Sequence, residues 1–330
     1  MTHKNRLLFV YGTLALGLLS GCKAFFTKFA ADSTVNVLAK ATTSFDEESD
    51  PWLARAAATS NLKFFDGVQK ATPDNGQLMV MTAKNYALYA FAFLEDDLEQ
   101  ETIGSPRHEE LKERASDFYR RALGLTKRRL AQDFEDIEAI LSAGGDRLEQ
   151  FLQKADDDHL PAIYWLAYAW GSLTNLQQDP ELLTDMPKFK RLMAWVRDRN
   201  PGFENGAPWL FFGALEVALP KALGGNPDAS KAAFEKGLAM TDGKFLMGKA
   251  FYARFYMTNA NDKKGYVRLL NEVIEAPNDI MPSQRLANEL AKVRARRWIA
   301  EADRAFNDDI GTPAPTESDK PAEPAPVPSP

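Results

Sequence analysis

The sequence predicts an all-α fold, a stack of antiparallel helical hairpins, and three observations carry that reading. Apolar residues recur at spacings of three and four in one segment after another, with no convincing period-two strand between them. The separators combine helix breakers with capping side chains, as in Thr72-Pro73-Asp74-Asn75-Gly76, Asn200-Pro201-Gly202 and Gly224-Gly225-Asn226-Pro227. Two segments are apolar on nearly every face, which suits helices at the centre of such a stack.

The 330 residues divide into four parts. Residues 1–21 read as a lipoprotein signal peptide: Lys4 and Arg6 precede an apolar run from Leu7 to Leu19, shorter than the roughly 20 residues a spanning helix needs. The run ends in Leu19-Ser20-Gly21-Cys22, which looks like a bacterial lipobox, and Cys22 is the chain's only cysteine. Its thiol would take a diacylglyceryl group and its freed amine a further acyl chain such as palmitate, the several chains that stable membrane anchoring requires. Lys23, where an Asp would favour retention at the inner membrane, leans toward the outer membrane. Residues 22–50 form the anchored segment with a first helix expected over 24–41, and residues 51–307 the helical body. Residues 308–330 form a Pro/Ala-rich tail with seven prolines from Gly311 onward and no aromatic residue, a composition that predicts disorder.

Within the body, helices are expected over 52–70, 77–98, 107–123, 127–141, 146–155, 161–176, 187–198, 208–219, 228–240, 244–258, 264–275 and 283–307, bounded by the turn clusters above together with Asp179-Pro180 and Ala276-Pro277-Asn278-Asp279. In the second of these, Met79, Thr82, Tyr86, Tyr89 and Phe93 follow alternating spacings of three and four, and Lys84 is the one charge between Leu78 and Leu94. The segment from Leu160 to Gln178 has no charge at all, yet Pro161, Ser172, Thr174, Asn175, Gln177 and Gln178 suit a buried helix better than a membrane span. Its rings, Tyr164, Trp165, Tyr168 and Trp170, point several ways, so some can fill the core while others face a cavity.

Composition and motifs exclude several kinds of chemistry. A net charge of −6 without a basic excess argues against nucleic acid as a partner. One cysteine and three histidines allow no intrachain disulfide and starve zinc of ligands, and no cofactor is expected. No Gly-x-Ser-x-Gly elbow, P-loop, Gly-x-Gly-x-x-Gly or His-Glu-x-x-His occurs, so the chain does not read as an enzyme. Asp156-Asp157-Asp158-His159 fits a helix start. Glu95-Asp96-Asp97 reads as a solvated helix end, and Lys292, Arg294, Arg296 and Arg297 as a solvated face of the last helix. Glu216 and Arg254 sit in apolar surroundings and are expected to snorkel or pair; the sharper reading makes Arg254 a carboxylate clamp in an aromatic-lined pocket.

A faint spacing of the tetratricopeptide kind runs through the body. With Pro73 closing one unit, Phe65 takes the aromatic position of its second helix, and Met79, Ala83 and Tyr86 take the large, small and tyrosine positions of the next. Trp209, Gly213 and Phe234 repeat the idea. The segments NLKFFDGVQKATPDNGQLMVMTAKNYALYAFAFLEDD from Asn61, YRRALGL from Tyr119, PAIYWLAYAWG from Pro161, ALPKALGGNPDASKAAFEKGLAMTDGKFLMGKAFYARFYM from Ala218, and LLNEVIEAP and LANELAKVRARRWI from Leu269 and Leu286 resemble the T component of TRAP transporters, the TatT family. The resemblance covers most of residues 50–306. It implies a tetratricopeptide-like, periplasm-facing lipoprotein that self-associates and binds the substrate-binding P component of a TRAP system; the Pro/Ala tail is foreign to the pattern. TRAP systems commonly carry organic acids, so a hydrophobic or amphipathic organic acid is the expected ligand, in a cavity walled by Tyr86, Tyr89, Phe93, Trp165, Tyr168, Trp170 and Arg254. The alternatives are a helical-repeat adaptor in envelope assembly with no transport role, and an enzyme with an unrecognised site.

Overall fold

The structure, a computed structural model, describes residues 42–219 and 224–306 together with 35, 37, 38 and 40. The signal peptide, Cys22, the tail and most of the helix expected over 24–41 lie outside the described residues. Among those that are described the fold is all-α, about 80% helical and without a strand.

Local chemistry explains where the helices start. Asp50 accepts hydrogen bonds from the Trp52 and Leu53 amides to open α1 (Pro51–Ala71), with proline at its first position. Asn75 caps α2 (Gly76–Tyr89) through the Leu78 amide. A π-helical turn, Ala90–Leu94, carries α2 into α3 (Glu95–Leu98). Ser105 opens α4 (Pro106–Leu130), and α5 (Ile137–Ala143) and α6 (Gly145–Lys154) follow. The uncharged segment is α7 (Leu160–Gln177), and α8 (Pro180–Leu183), α9 (Met186–Arg199) and α10 (Phe203–Ala218) come next. Asn226 caps α11 (Pro227–Ala239). The chain continues with α12 (Leu246–Phe251), a second π-helical turn at Tyr252–Met257, α13 (Lys263–Glu275) capped by Asp262, a 3-10 turn at Pro282–Gln284, α14 (Arg285–Ala300) and α15 (Ala302–Phe306).

One expected break is absent. The sequence predicts helices over 107–123 and 127–141 separated at Gly124, but α4 runs unbroken to Leu130. Gly124 faces open space, and Thr126 returns its hydroxyl to the Ala122 carbonyl at 3.0 Å, so the helix absorbs both residues.

Burial places α7 at the centre. Ala162, Ile163, Leu166, Ala167 and Ala169 are at most 1% exposed, and α2, α4 and α9 pack around them. A second core collects Phe234, Tyr266, Leu270 and Trp298 from α11, α13 and α14. Helix α10 joins the two, sending Phe212 into the first and Leu210 into the second. Late in the chain, α14 returns to touch α1.

Two charged runs depart from the solvated faces expected of them. Lys292 and Arg294 are 1% and 2% exposed, while Arg296 alone of that set is exposed. Arg294 donates to Asp96 at 2.9 Å and to the Phe91 carbonyl at 2.6 Å, and Arg297 donates to Asp96 at 2.8 Å and Glu99 at 2.7 Å. Arg55 on α1 forks onto Asp97. Asp96 of the acidic run and Arg294 and Arg297 of the basic face are thus partners across some 200 residues of sequence, a pairing that helical periodicity cannot reveal.

Candidate functional site

Between the two cores lies a cavity of about 490 Å³, within the roughly 300–1,000 Å³ usual for small-molecule sites. Helix α2 and its π-helical turn supply Leu88, Tyr89, Phe91 and Phe93; α7 supplies Tyr164, Trp165, Tyr168 and Ser172; Phe211 comes from α10, and Phe251 and Phe255 from α12 and the second π-helical turn. Both turns therefore sit on the cavity wall. A π-helical turn inserts one residue, about 100° of helix rotation, so it swings rings inward that a continuous α-helix would aim elsewhere.

Four of the seven expected ligand residues, Tyr89, Phe93, Trp165 and Tyr168, line this cavity. The other three lie elsewhere. Tyr86 donates to Asp66 at 2.8 Å and accepts from Arg121 at 3.2 Å. Trp170 packs against Phe189 with ring centroids 6.3 Å apart. Arg254, the expected carboxylate clamp, lies inside the second π-helical turn, which aims it at α14: its guanidinium sits 5.6 Å over Trp298 and bonds the Tyr266 hydroxyl. Glu216 pairs, as one expectation had it, with Lys190 at 2.6 Å. His159 is buried at the start of α7, hydrogen-bonded to Asp156 at 2.6 Å and Asp133 at 3.2 Å.

The polar groups of the cavity form two stations. At the first, Lys84 donates to both oxygens of Glu204, at 2.8 and 3.1 Å, and lies 5.7 Å over the Trp165 ring. Asp46 is the third charge there; burial raises its carboxyl above the usual range, against the pull of Lys84. At the second, Glu95 accepts a hydrogen bond from the Tyr119 hydroxyl, with Tyr168 and Ser172 beside it on the wall. Burial pushes Glu95 up to about 7, with Tyr119 and Arg294 opposing the rise and Glu99 adding to it. Burial also raises the Tyr164 and Tyr168 hydroxyls far above their usual value, so both remain neutral hydrogen-bonding groups at physiological pH.

Of the charged residues here the sequence singles out Lys84, as the lone charge in an apolar helix, and places Glu95 in a solvated helix end. Glu204 escapes notice because it belongs to a left-handed run, Glu204, Asn205 and Gly206 with φ of 45°, 64° and 82°, where periodicity carries no information. Among the described residues no group of His, Cys, Asp and Glu is placed to hold a metal ion.

Fold and cavity together define an all-helical protein that encloses an aromatic chamber with a few charged groups on its wall. Residues 47–306 match the TRAP transporter T-component family, and the chain belongs to it. It is also similar to an uncharacterised protein of Treponema pallidum (strain Nichols), 22% identical over 264 residues that cover 77% of this chain and 80% of the other. Membership makes the chain an accessory component of TRAP transport in the bacterial envelope, in a family not known for enzymes. No helix among the described residues is long and apolar enough to cross a membrane.

Proposed function

We propose that this T component is a lipoprotein anchored through Cys22, facing the periplasm from the outer membrane, that binds the P component of its TRAP transporter and holds a hydrophobic or amphipathic ligand in its cavity. The observation that carries this reading is an aromatic cavity of about 490 Å³ inside a chain of the T-component family. Tyr89, Phe93, Trp165 and Tyr168 supply apolar ring faces, all but Phe93 with a polar tip, a lining suited to a ligand that is mostly hydrocarbon. A P component docked at the mouth would pass such a ligand across without exposing it to bulk water. Self-association and a tetratricopeptide-like stacking of hairpins belong to the same reading; the four-residue connection between the packed helices α1 and α2 and the contact of Gly213 with Phe234 support it.

The test is purification of the full-length chain from its native envelope in mild detergent, followed by mass spectrometry of whatever accompanies it. A TRAP P component and a bound small molecule are the expected companions. Recovery of outer-membrane assembly factors alone, with no small molecule, would transfer the chain to the adaptor role.

A further inference from the structure

Four ionisable side chains, Asp46, Lys84, Glu95 and Glu204, bring three carboxyl groups and one ammonium to the cavity wall. The ammonium is already engaged: Lys84 lies against both oxygens of Glu204, with Asp46 close enough to feel it. Glu204 is delivered by three consecutive left-handed residues, a conformation costing about 1–3 kcal/mol at a non-glycine position and kept only where its surroundings hold it. The guanidinium groups nearby face away, Arg294 toward Asp96 and the Phe91 carbonyl, Arg254 toward Trp298 and Tyr266. An entering carboxylate would therefore meet three carboxyl groups, a cation that already has its partner and only neutral donors such as the Tyr168 hydroxyl, in a site from which its own water has been stripped.

Glu95 stands eleven residues further along the same run of helix, about 16 Å from the Lys84 station. It is charged or chargeable and aimed at the chamber, and Tyr119 occupies one of its oxygens. Tyr168, bonded to Ser172, stands beside it. Resting on the ligand-carrying reading above, we propose that the ligand's polar end is a hydrogen-bond donor, an ammonium or a hydroxyl, seated on Glu95, and that the cavity discriminates against carboxylates. The expected organic acid had Arg254 as its carboxylate clamp, and Arg254 is not at this cavity.

The groups facing Glu95 set how this recognition depends on pH. They are Tyr119 from α4, Tyr168 from α7, Arg294 from α14 and Glu99 just beyond α3. Arg294 is committed to Asp96, and Glu99 to Arg297 and Trp298, so Glu95 is the group free to respond. Burial brings its titration to about 7. An ammonium binds the ionised form and gains as the pH rises from 6 to 8, whereas a hydroxyl donates to the ionised form and donates to or accepts from the protonated one, and changes little.

The test uses the full chain in lipid nanodiscs and three water-soluble probes of one chain length, hexylamine, hexan-1-ol and hexanoate, read by Trp165 fluorescence against empty discs and against Trp165→Phe. At pH 8 hexylamine should bind roughly tenfold or more tightly than hexanoate, the factor expected of one charge-assisted hydrogen bond, and hexan-1-ol should also outbind hexanoate. The hexylamine advantage should shrink at pH 6 and in Glu95→Gln. Hexanoate binding as tightly as hexylamine in the unaltered protein would overturn the donor assignment while leaving the ligand-carrying reading in place. Failure of all three probes to bind would overturn that reading itself, and this inference with it.

Discussion

At Glu95 the same burial that shapes the cavity also sets a stability cost. A carboxyl raised to about 7 in the folded chain and near its ordinary value of about 4.3 in the unfolded chain keeps a proton on folding that the unfolded chain has lost. The contribution is fully favourable below about pH 4.3 and is lost as the pH rises through about 7. Glu95→Gln keeps an acceptor for Tyr119 and removes the titration. Its melting temperature should therefore match that of the parent near pH 4.5 and exceed it by a margin that grows up to pH 7 and then stays constant, equivalent to at most about 4 kcal/mol. A margin independent of pH would show that the carboxyl titrates normally. None of this is legible in the sequence, where Glu95 opens an acidic triplet that looks like a solvated helix end. Periodicity reports which face of a helix is apolar and does not report that an acidic residue at the helix's end has been enclosed by another element. Lys84 was legible because its neighbours along the chain are themselves apolar.

Helices were the most legible elements, because a 3.6-residue period and a capping side chain are both local properties; Asp50, Asn75, Asn226 and Asp262 each open a helix within a residue or two of where the pattern begins. The two π-helical turns were not, since one inserted residue leaves no local mark, and they decide which of Phe91, Arg254 and Phe255 faces the chamber. Glycine shows the same division between local and tertiary causes. A Cβ on Gly213 would lie 2.7 Å from the ring of Phe234, a side chain fully buried between α10 and α11, and the Ser230 hydroxyl reaches the Gly213 carbonyl at 2.6 Å. A Cβ on Gly124 would meet nothing within 4 Å. Gly213→Ala should lose about 1–3 kcal/mol through overpacking, and Gly124→Ala should gain about 0.5–1 kcal/mol by restricting the unfolded chain and favouring the helix. Urea denaturation of the two variants measures both; equal effects of the same sign would mean that helix propensity rather than packing governs these positions.

On the scale of the whole molecule, the first helices are tied to the last by ions. Asp97 receives Arg55 from α1 while Asp96 receives Arg294 and Arg297 from α14, and the tie is built directly behind the π-helical turn whose Phe91 carbonyl Arg294 also satisfies. Burial disfavours the charge on Asp96, but Arg297 and Arg294 together outweigh it and hold the carboxyl below its usual range. Arg294→Met leaves Asp96 with Arg297 as its remaining cation and the Phe91 carbonyl without its donor, so it should cost about 1–3 kcal/mol. If that loss arises from the weakened pairing of Asp96, Asp96→Leu in the same chain should recover part of it, and the double variant should unfold at higher urea than Arg294→Met alone. A double variant whose loss equals the sum of the two single losses would show instead that each side chain stabilises the fold separately, and α14 would then be held against the first helices by apolar packing, with the ion pairs contributing no closure of their own.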